Sequence, residues 1–289
     1  MVGTAVRRAL GGRGVPSLQL VRRKAARAEE MEWNPSGDPA ITDPSRLENA
    51  MAAIHLSGAN VGARRWTETY RREMTASRVE STRRLANVLA GLRNPPKTLL
   101  VASAIGIYGN RRDEVLDESS EPGSGFLASL CCEWERAGDP ARRAGIRVVH
   151  LRLGVVLGPE GALKQMLPPF RIGLGAQIGD GRQWMSWISV DDAVAAVLFA
   201  LDRIEISGPV NVTSPNPVTN AEFTRALGRQ LGRPAFLSAP AFAMKLIFGQ
   251  MANEALLASI RVQPRKLLEA GFQFSHPKLD QALAAALKN

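Results

Sequence analysis

A chain of 289 residues and 31.2 kDa, 45% hydrophobic and 22% charged, has the length and composition of an ordinary globular protein with a full core. This excludes disorder, collagen-like repeats and a disulfide-stapled miniprotein, and no run of 18 apolar residues offers a membrane span. The net charge of +10 comes from 30 Arg and 7 Lys scattered along the chain, not clustered and interleaved with aromatics, so neither a nucleic-acid nor a membrane partner is expected.

In chain order, residues 1–28 carry seven basic side chains (Arg7, Arg8, Arg13, Arg22, Arg23, Lys24, Arg27) and no acidic one. That pattern fits a mitochondrial or plastid transit peptide, but it also reads as a folded helix from Thr4 to Leu10 stopped by Gly11-Gly12, followed by a strand from Ser17 to Val21. Ala52–Leu56 is a short apolar strand, and Glu73 to Leu92 an amphipathic helix with Val79, Leu85, Val88 and Leu92 inward. Thr98–Ser103 is apolar throughout, as a parallel strand buried on both faces must be. Gly125–Ala137 is helical and carries the adjacent Cys131 and Cys132, which make neither a disulfide framework nor a metal pattern. A reducing compartment, the cytoplasm, is the expected setting, and no metal site is expected. Arg147–Leu153 is a strand and Asp191–Leu201 a helix, with Asp191 as the candidate N-cap. Helices over Ala221–Leu231 and Ala241–Ile260 fill the tail. Strands alternating with helices predict an α/β fold with a mostly parallel sheet and right-handed crossovers.

The ordered motifs then carry a resemblance. They include Ser57-Gly58-Ala59-Asn60, Arg65-Trp66-Thr67, Ser77-Arg78-Val79, Ser103 through Gly109, Trp134-Glu135, Leu151-Arg152-Leu153-Gly154, Trp184 through Asp192 and Thr219-Asn220-Ala221-Glu222-Phe223. From Val2 to Leu287 the chain resembles the atypical, extended short-chain dehydrogenases/reductases called epimerase family proteins, akin to nucleotide-sugar epimerases. The resemblance implies an NAD(P)-binding Rossmann-type domain (residues 1–157 and 186–213), a small helix-rich C-terminal substrate domain (158–185 and 214–289) and bound NADP(H). Gly3 stands where the last glycine of a Gly-rich phosphate turn belongs, at the start of the first helix. The first strand and the earlier glycines of that turn do not precede it, which predicts a gap on the order of 10 Å between the second and fourth strands.

Within that frame Arg22 and Arg23 follow the second strand, where arginines suit a 2′-phosphate and an acid would suit the free ribose. They favour NADP(H), the other reading being a solvated turn. Ser57 and Gly58 end a strand where backbone can approach the cofactor, and the resemblance adds Arg78 and Arg152 to the cofactor-binding set. Ser103, at the end of an apolar strand, is the leading catalytic candidate, and Tyr108 is the second. The Tyr and Lys four residues apart that this enzyme class uses for proton transfer are missing from the 125–134 helix. Two functions remain open: an oxidoreductase or epimerase-like enzyme on a small polar molecule, and a non-catalytic NADP(H)-binding sensor.

Overall fold

This computed structural model describes residues 1–288. Helix α1 (Val2–Gly12) ends beside Gly14, whose φ of +69° turns the chain into strands β1 (Gln19–Val21) and β2 (Glu30–Glu32). Strand β3 (Ala52–His55) leads to one long helical stretch in three pieces: α2 (Glu68–Thr75), a π turn at Ala76–Glu80, and α3 (Ser81–Ala90). It begins five residues before the predicted Glu73 because the Thr67 hydroxyl caps it, accepting from the Tyr70 N–H. Strand β4 (Thr98–Ala104), the short β5 (Val115–Leu116), helices α4 (Phe126–Arg136) and α5 (Asp139–Arg143), and strands β6 (Arg147–Leu153) and β7 (Val155–Leu157) follow.

The chain then runs through α6 (Ala162–Arg171), β8 (Ala176–Ile178), β9 (Trp184–Met185), β10 (Trp187–Ser189), α7 (Val190–Asp202) and β11 (Gly208–Val212). Helix α7 is capped by Ser189, which accepts from Asp192 N–H, and not by the expected Asp191. Its capped turn frees the buried Asp192 carboxylate to accept from the backbone N–H groups of Ser275 and His276. Strand β12 (Val218–Thr219), α8 (Asn220–Leu231), β13 (Leu237–Ala239), α9 (Ala241–Phe248), β14 (Arg261–Val262), α10 (Arg265–Glu269) and α11 (Leu279–Lys288) complete the chain. The predicted helix over Ala241–Ile260 stops at Phe248, because Gly249 takes φ +60°, a conformation a helix interior cannot hold. A π turn at Ala252–Leu256 follows it.

The central sheet is parallel with order β11-β6-β4-β3. One face packs Leu99, Val101 and Val148 against Leu85, Leu89, Leu130 and Trp134 of α3 and α4. The other packs Leu100, Val149, Leu151 and Val210 against α7 and against Val6 of α1. Two-sided cover is why β4 and β6 read as unbroken apolar runs. The expected interruption lies beside β3: β1 and β2 pair only with each other, and their sheet is not hydrogen-bonded to β3. A third cluster joins Leu163 and Phe170 of α6, Phe223 and Leu227 of α8, and Leu283 of α11 around Trp187. Between α9 and α11 the chain packs on the central sheet instead: β14 pairs with β5, and Leu267 and Phe272 join the α7 side of the sheet.

Candidate functional site

Parallel register sets the site. Ser103 on β4 lies opposite Arg152 on β6, and Arg152 lies opposite Asn211 on β11. Residues paired across strands share a face, so all three side chains lie on one side of the sheet, and Ser103 and Arg152 reach the underside of α4. There Glu135 accepts from Ser103 Oγ at 2.8 Å, and from Arg152 through Nε at 2.8 Å and Nη2 at 3.0 Å. The remaining Arg152 nitrogen, Nη1, donates to the Tyr108 hydroxyl at 2.9 Å. That hydroxyl donates in turn to Asn211 Oδ1 at 2.7 Å. Glu118 extends the chain by accepting from the Asn211 N–H at 2.9 Å.

Burial decides what this network can do. Tyr108 is 0% exposed and Ser103 2%, so the two residues expected to face substrate lie inside the protein. Burial pushes the Tyr108 phenol up, against the opposing pull of Arg152, so it stays protonated and is no ready base. Burial alone would raise Glu135, but the bonds and charge of Arg152 outweigh it and hold the carboxyl below its usual range. Arg152 itself was expected at the cofactor; its guanidinium is instead spent on Glu135 and Tyr108, because a buried cation needs a partner. Cys131 is equally inert, its thiol pushed up to about 12 by burial.

A second group gathers past the end of β3. Ser57 and Gly58 are exposed there, and a Cβ on Gly58 would lie 3.1 Å from the Arg78 guanidinium carbon. Arg78 is buried, donates from Nη2 to Ala59 O at 2.8 Å and stacks 5.2 Å above the Trp134 ring. Burial depresses its pKa. The π turn brings it there: Ser77 Oγ of the same turn accepts from Ala59 N–H at 3.1 Å, and Ser81 Oγ lies 3.2 Å from His55 Nε2. His55 and His150 are buried with pKa values lowered to about 4, chiefly by desolvation, so both rings are neutral.

Gly3 lies in the first turn of α1, with no other group within 4 Å of where its Cβ would be. Arg22 is exposed just past β1, whereas Arg23 grips Glu30 with two nitrogens at 2.8 and 2.6 Å. The residues expected at the cofactor thus divide: Gly3, Arg22, Ser57 and Gly58 border open space, while Arg23, Arg78 and Arg152 are committed to neighbours. Glu135, Glu118 and Asn211 were not singled out from sequence. The Trp134-Glu135 pair was visible as a motif, but only the cross-strand register reveals what its carboxylate binds. Among the described residues no three His, Cys, Asp or Glu side chains gather as metal ligands, and no helix is long and apolar enough to cross a membrane.

Comparison with known proteins agrees with this geometry. The family model described as "NAD dependent epimerase/dehydratase family" matches residues 1–213, and one described as "Domain of unknown function (DUF1731)" matches residues 239–286. An epimerase family protein of Mycobacterium tuberculosis is 45% identical over 288 residues, covering 99% of this chain and 94% of the relative. The crystal structure of human epimerase family protein SDR39U1 (isoform 2) with NADPH superposes with a TM-score of 0.89 at 34% identity, covering 100% of this chain and 96% of that one. The UDP-N-acetylglucosamine 4-epimerase of Bacillus cereus, 16% identical with a TM-score of 0.76, covers 99% of this chain and 91% of its own, and shares the fold. From its strand order, its strand-end site and these matches, the chain belongs to the NAD dependent epimerase/dehydratase family, within the epimerase family proteins.

Proposed function

We propose that this protein binds NADP(H) along the ends of β1, β3 and β4 and is an oxidoreductase or epimerase-like enzyme acting on a small polar substrate. The observation that carries the reading is the full-length likeness to a relative solved with NADPH. The residues present fit such a group. Gly3 leaves open space beside the first turn of α1, whose leading N–H groups suit phosphate oxygens. Gly58 lets the Arg78 guanidinium lie against the backbone past β3, where a side chain would strike it. In this reading the exposed Arg22 meets a 2′-phosphate, and Arg23 joins only by sharing itself with Glu30.

When bound, the nicotinamide supplies a hydride acceptor or donor. The chain's own contribution centres on Ser103, whose proton is held by Glu135 so that its oxygen lone pairs point away from that bond. In this reading the buried Ser103 oxygen becomes the acceptor for a substrate hydroxyl once the strand end is opened to it, while Arg152 keeps Glu135 ionised and Tyr108 braces Arg152. The unbridged Cys131 and Cys132 suit the reducing cytoplasm.

A second reading, a non-catalytic NADP(H) sensor, is favoured by the burial of Ser103 and Tyr108 and by the missing Tyr–Lys pair. Titration of NADPH and NADH against the full chain tests the cofactor. NADPH should bind about tenfold tighter, and Arg22→Ala/Arg23→Ala should remove most of that preference. Equal affinities in the unmutated protein would overturn the assignment. NADPH turnover across a panel of small carbonyl compounds separates enzyme from sensor.

A further inference from the structure

A groove of about 600 Å³ runs between α4–α5 and the β6–β11 edge, lined by Arg136, Arg142, Arg147, Arg152 and His150. Only Glu135 and Asp139 line it with opposite charge, and each is already taken. Glu135 is bound to Arg152, and the buried Asp139 Oδ1 lies 2.6 Å from Arg142 Nη2 without a hydrogen bond. Arg147 gives its donors to Thr98 and to the carbonyls of Ala200, Leu201, Arg203 and Ile206 at the end of α7. Among the described residues, no carboxylate lies within ion-pair distance of Arg136 or Arg147, so the groove keeps an excess of positive charge.

The second observation is independent of that excess. His150 shares the face of β6 with Val148 and Arg152, and it is only 3% exposed. Its Nδ1 is buried without a hydrogen-bond partner, although buried polar atoms are nearly always satisfied. An unpartnered ring nitrogen in the wall of a cationic groove is a hydrogen-bonding group left for a ligand that enters it. The floor adds apolar Ile107, Pro122 and Pro209, which suits a small organic body beside the anion.

We propose that this groove is an anion site for a phosphate group, carried by a small phosphomonoester or free in solution. Arg136, which has no carboxylate within ion-pair distance, contacts its oxygens, Arg142 joins by sharing itself with Asp139, and His150 Nδ1 completes its hydrogen bonds. It lies against the first residues of β11, Gly208 and Pro209, not at the strand ends where Ser57 and Gly58 stand, so it is distinct from the proposed cofactor site. It also borders the Glu135 carboxylate that holds Ser103, which ties its occupancy to the strand-end network.

The test is thermal-shift and calorimetric titration of the full chain with inorganic phosphate and with glycerol 2-phosphate, at matched ionic strength against chloride. Each titration is run with and without NADPH. A saturable shift that persists with NADPH present is expected. It should weaken about tenfold or more in Arg136→Ala and in Arg136→Ala/Arg142→Ala, both side chains being exposed. It should be unchanged in Arg22→Ala/Arg23→Ala. A tighter monoester identifies that source, and equal affinities identify free phosphate. Absence of a saturable shift, an equal shift in the Arg136/Arg142 variant, or loss of the shift in the Arg22/Arg23 variant would overturn the proposal. Failure of NADPH to bind would leave the phosphate titration readable and count only against the cofactor assignment. His150→Asn, which keeps a polar side chain of similar reach, should weaken phosphate without abolishing it.

Discussion

The Glu135–Arg152 pair is the costliest contact to break. Glu135→Ala would leave the buried Arg152 guanidinium without its counter-charge, a loss of about 3–5 kcal/mol readable by urea denaturation. Replacing both at once, Glu135→Leu with Arg152→Met, should cost less than the single change, because no charge is left unpaired. Ser103→Ala removes one hydrogen bond and should cost about 1 kcal/mol, lower any turnover and leave NADPH affinity unchanged. The two neutral histidines set an acid limit. His55 and His150 hold pKa values near 4 against an ordinary 6.5, so the unfolded chain binds more protons than the folded one between those values. Stability is therefore complete above pH 6.5 and falls as pH drops toward 4, by on the order of 3 kcal/mol for each ring at the lower end. Denaturation midpoints measured at pH 7.5 and pH 5 in wild type and in His55→Gln should show the slope reduced in the variant.

Helix ends carry the next level of control. Helix α8 has a reciprocal capping box, in which the Thr219 hydroxyl accepts from Glu222 N–H and the Glu222 carboxylate accepts from Thr219 N–H. Thr219→Ala should cost about 1 kcal/mol and lower the melting temperature measurably. Helix α9 behaves in the opposite way. Phe242, Leu246 and Ile247 are exposed and no residue of the helix is buried, so Leu246→Ser should change stability by no more than about 0.5 kcal/mol. Gly249, which ends that helix at φ +60°, is another matter. An alanine there would bear about 1–2 kcal/mol of left-handed strain, and its Cβ would sit 3.1 Å from Arg65 Nε.

Across the whole molecule, stability is concentrated in the four-stranded sheet, whose two faces are both packed. The β1–β2 pair is three residues long on each strand and stands apart from that sheet. Amide exchange should therefore be slowest along β4 and β6 and much faster along β1 and β2, since a short separate pair opens without the rest. Arg22 and Arg23 follow β1 directly, so NADPH should slow exchange there more than in β4. Equal protection by NADPH along both sheets would argue against contact at those arginines.

By itself the sequence determined the alternation of strand and helix, the parallel sheet, and the positions of β3, β4, β6, α4, α7 and α8 to within a few residues. Apolar runs and helical periodicity record burial directly, because one-sided and two-sided cover leave different patterns. It also placed Ser103, Gly58 and Arg22 at strand ends, where this fold binds ligands. Only tertiary structure decided that Arg152 turns to Glu135 and Tyr108, that Arg23 is spent on Glu30, and that Ser189 and not Asp191 caps α7. Each of those outcomes is a choice among partners distant in sequence or equivalent in type. Which carboxylate meets a cation follows from cross-strand register and from the cost of burying an unpaired charge, and neither quantity is written in local spacing.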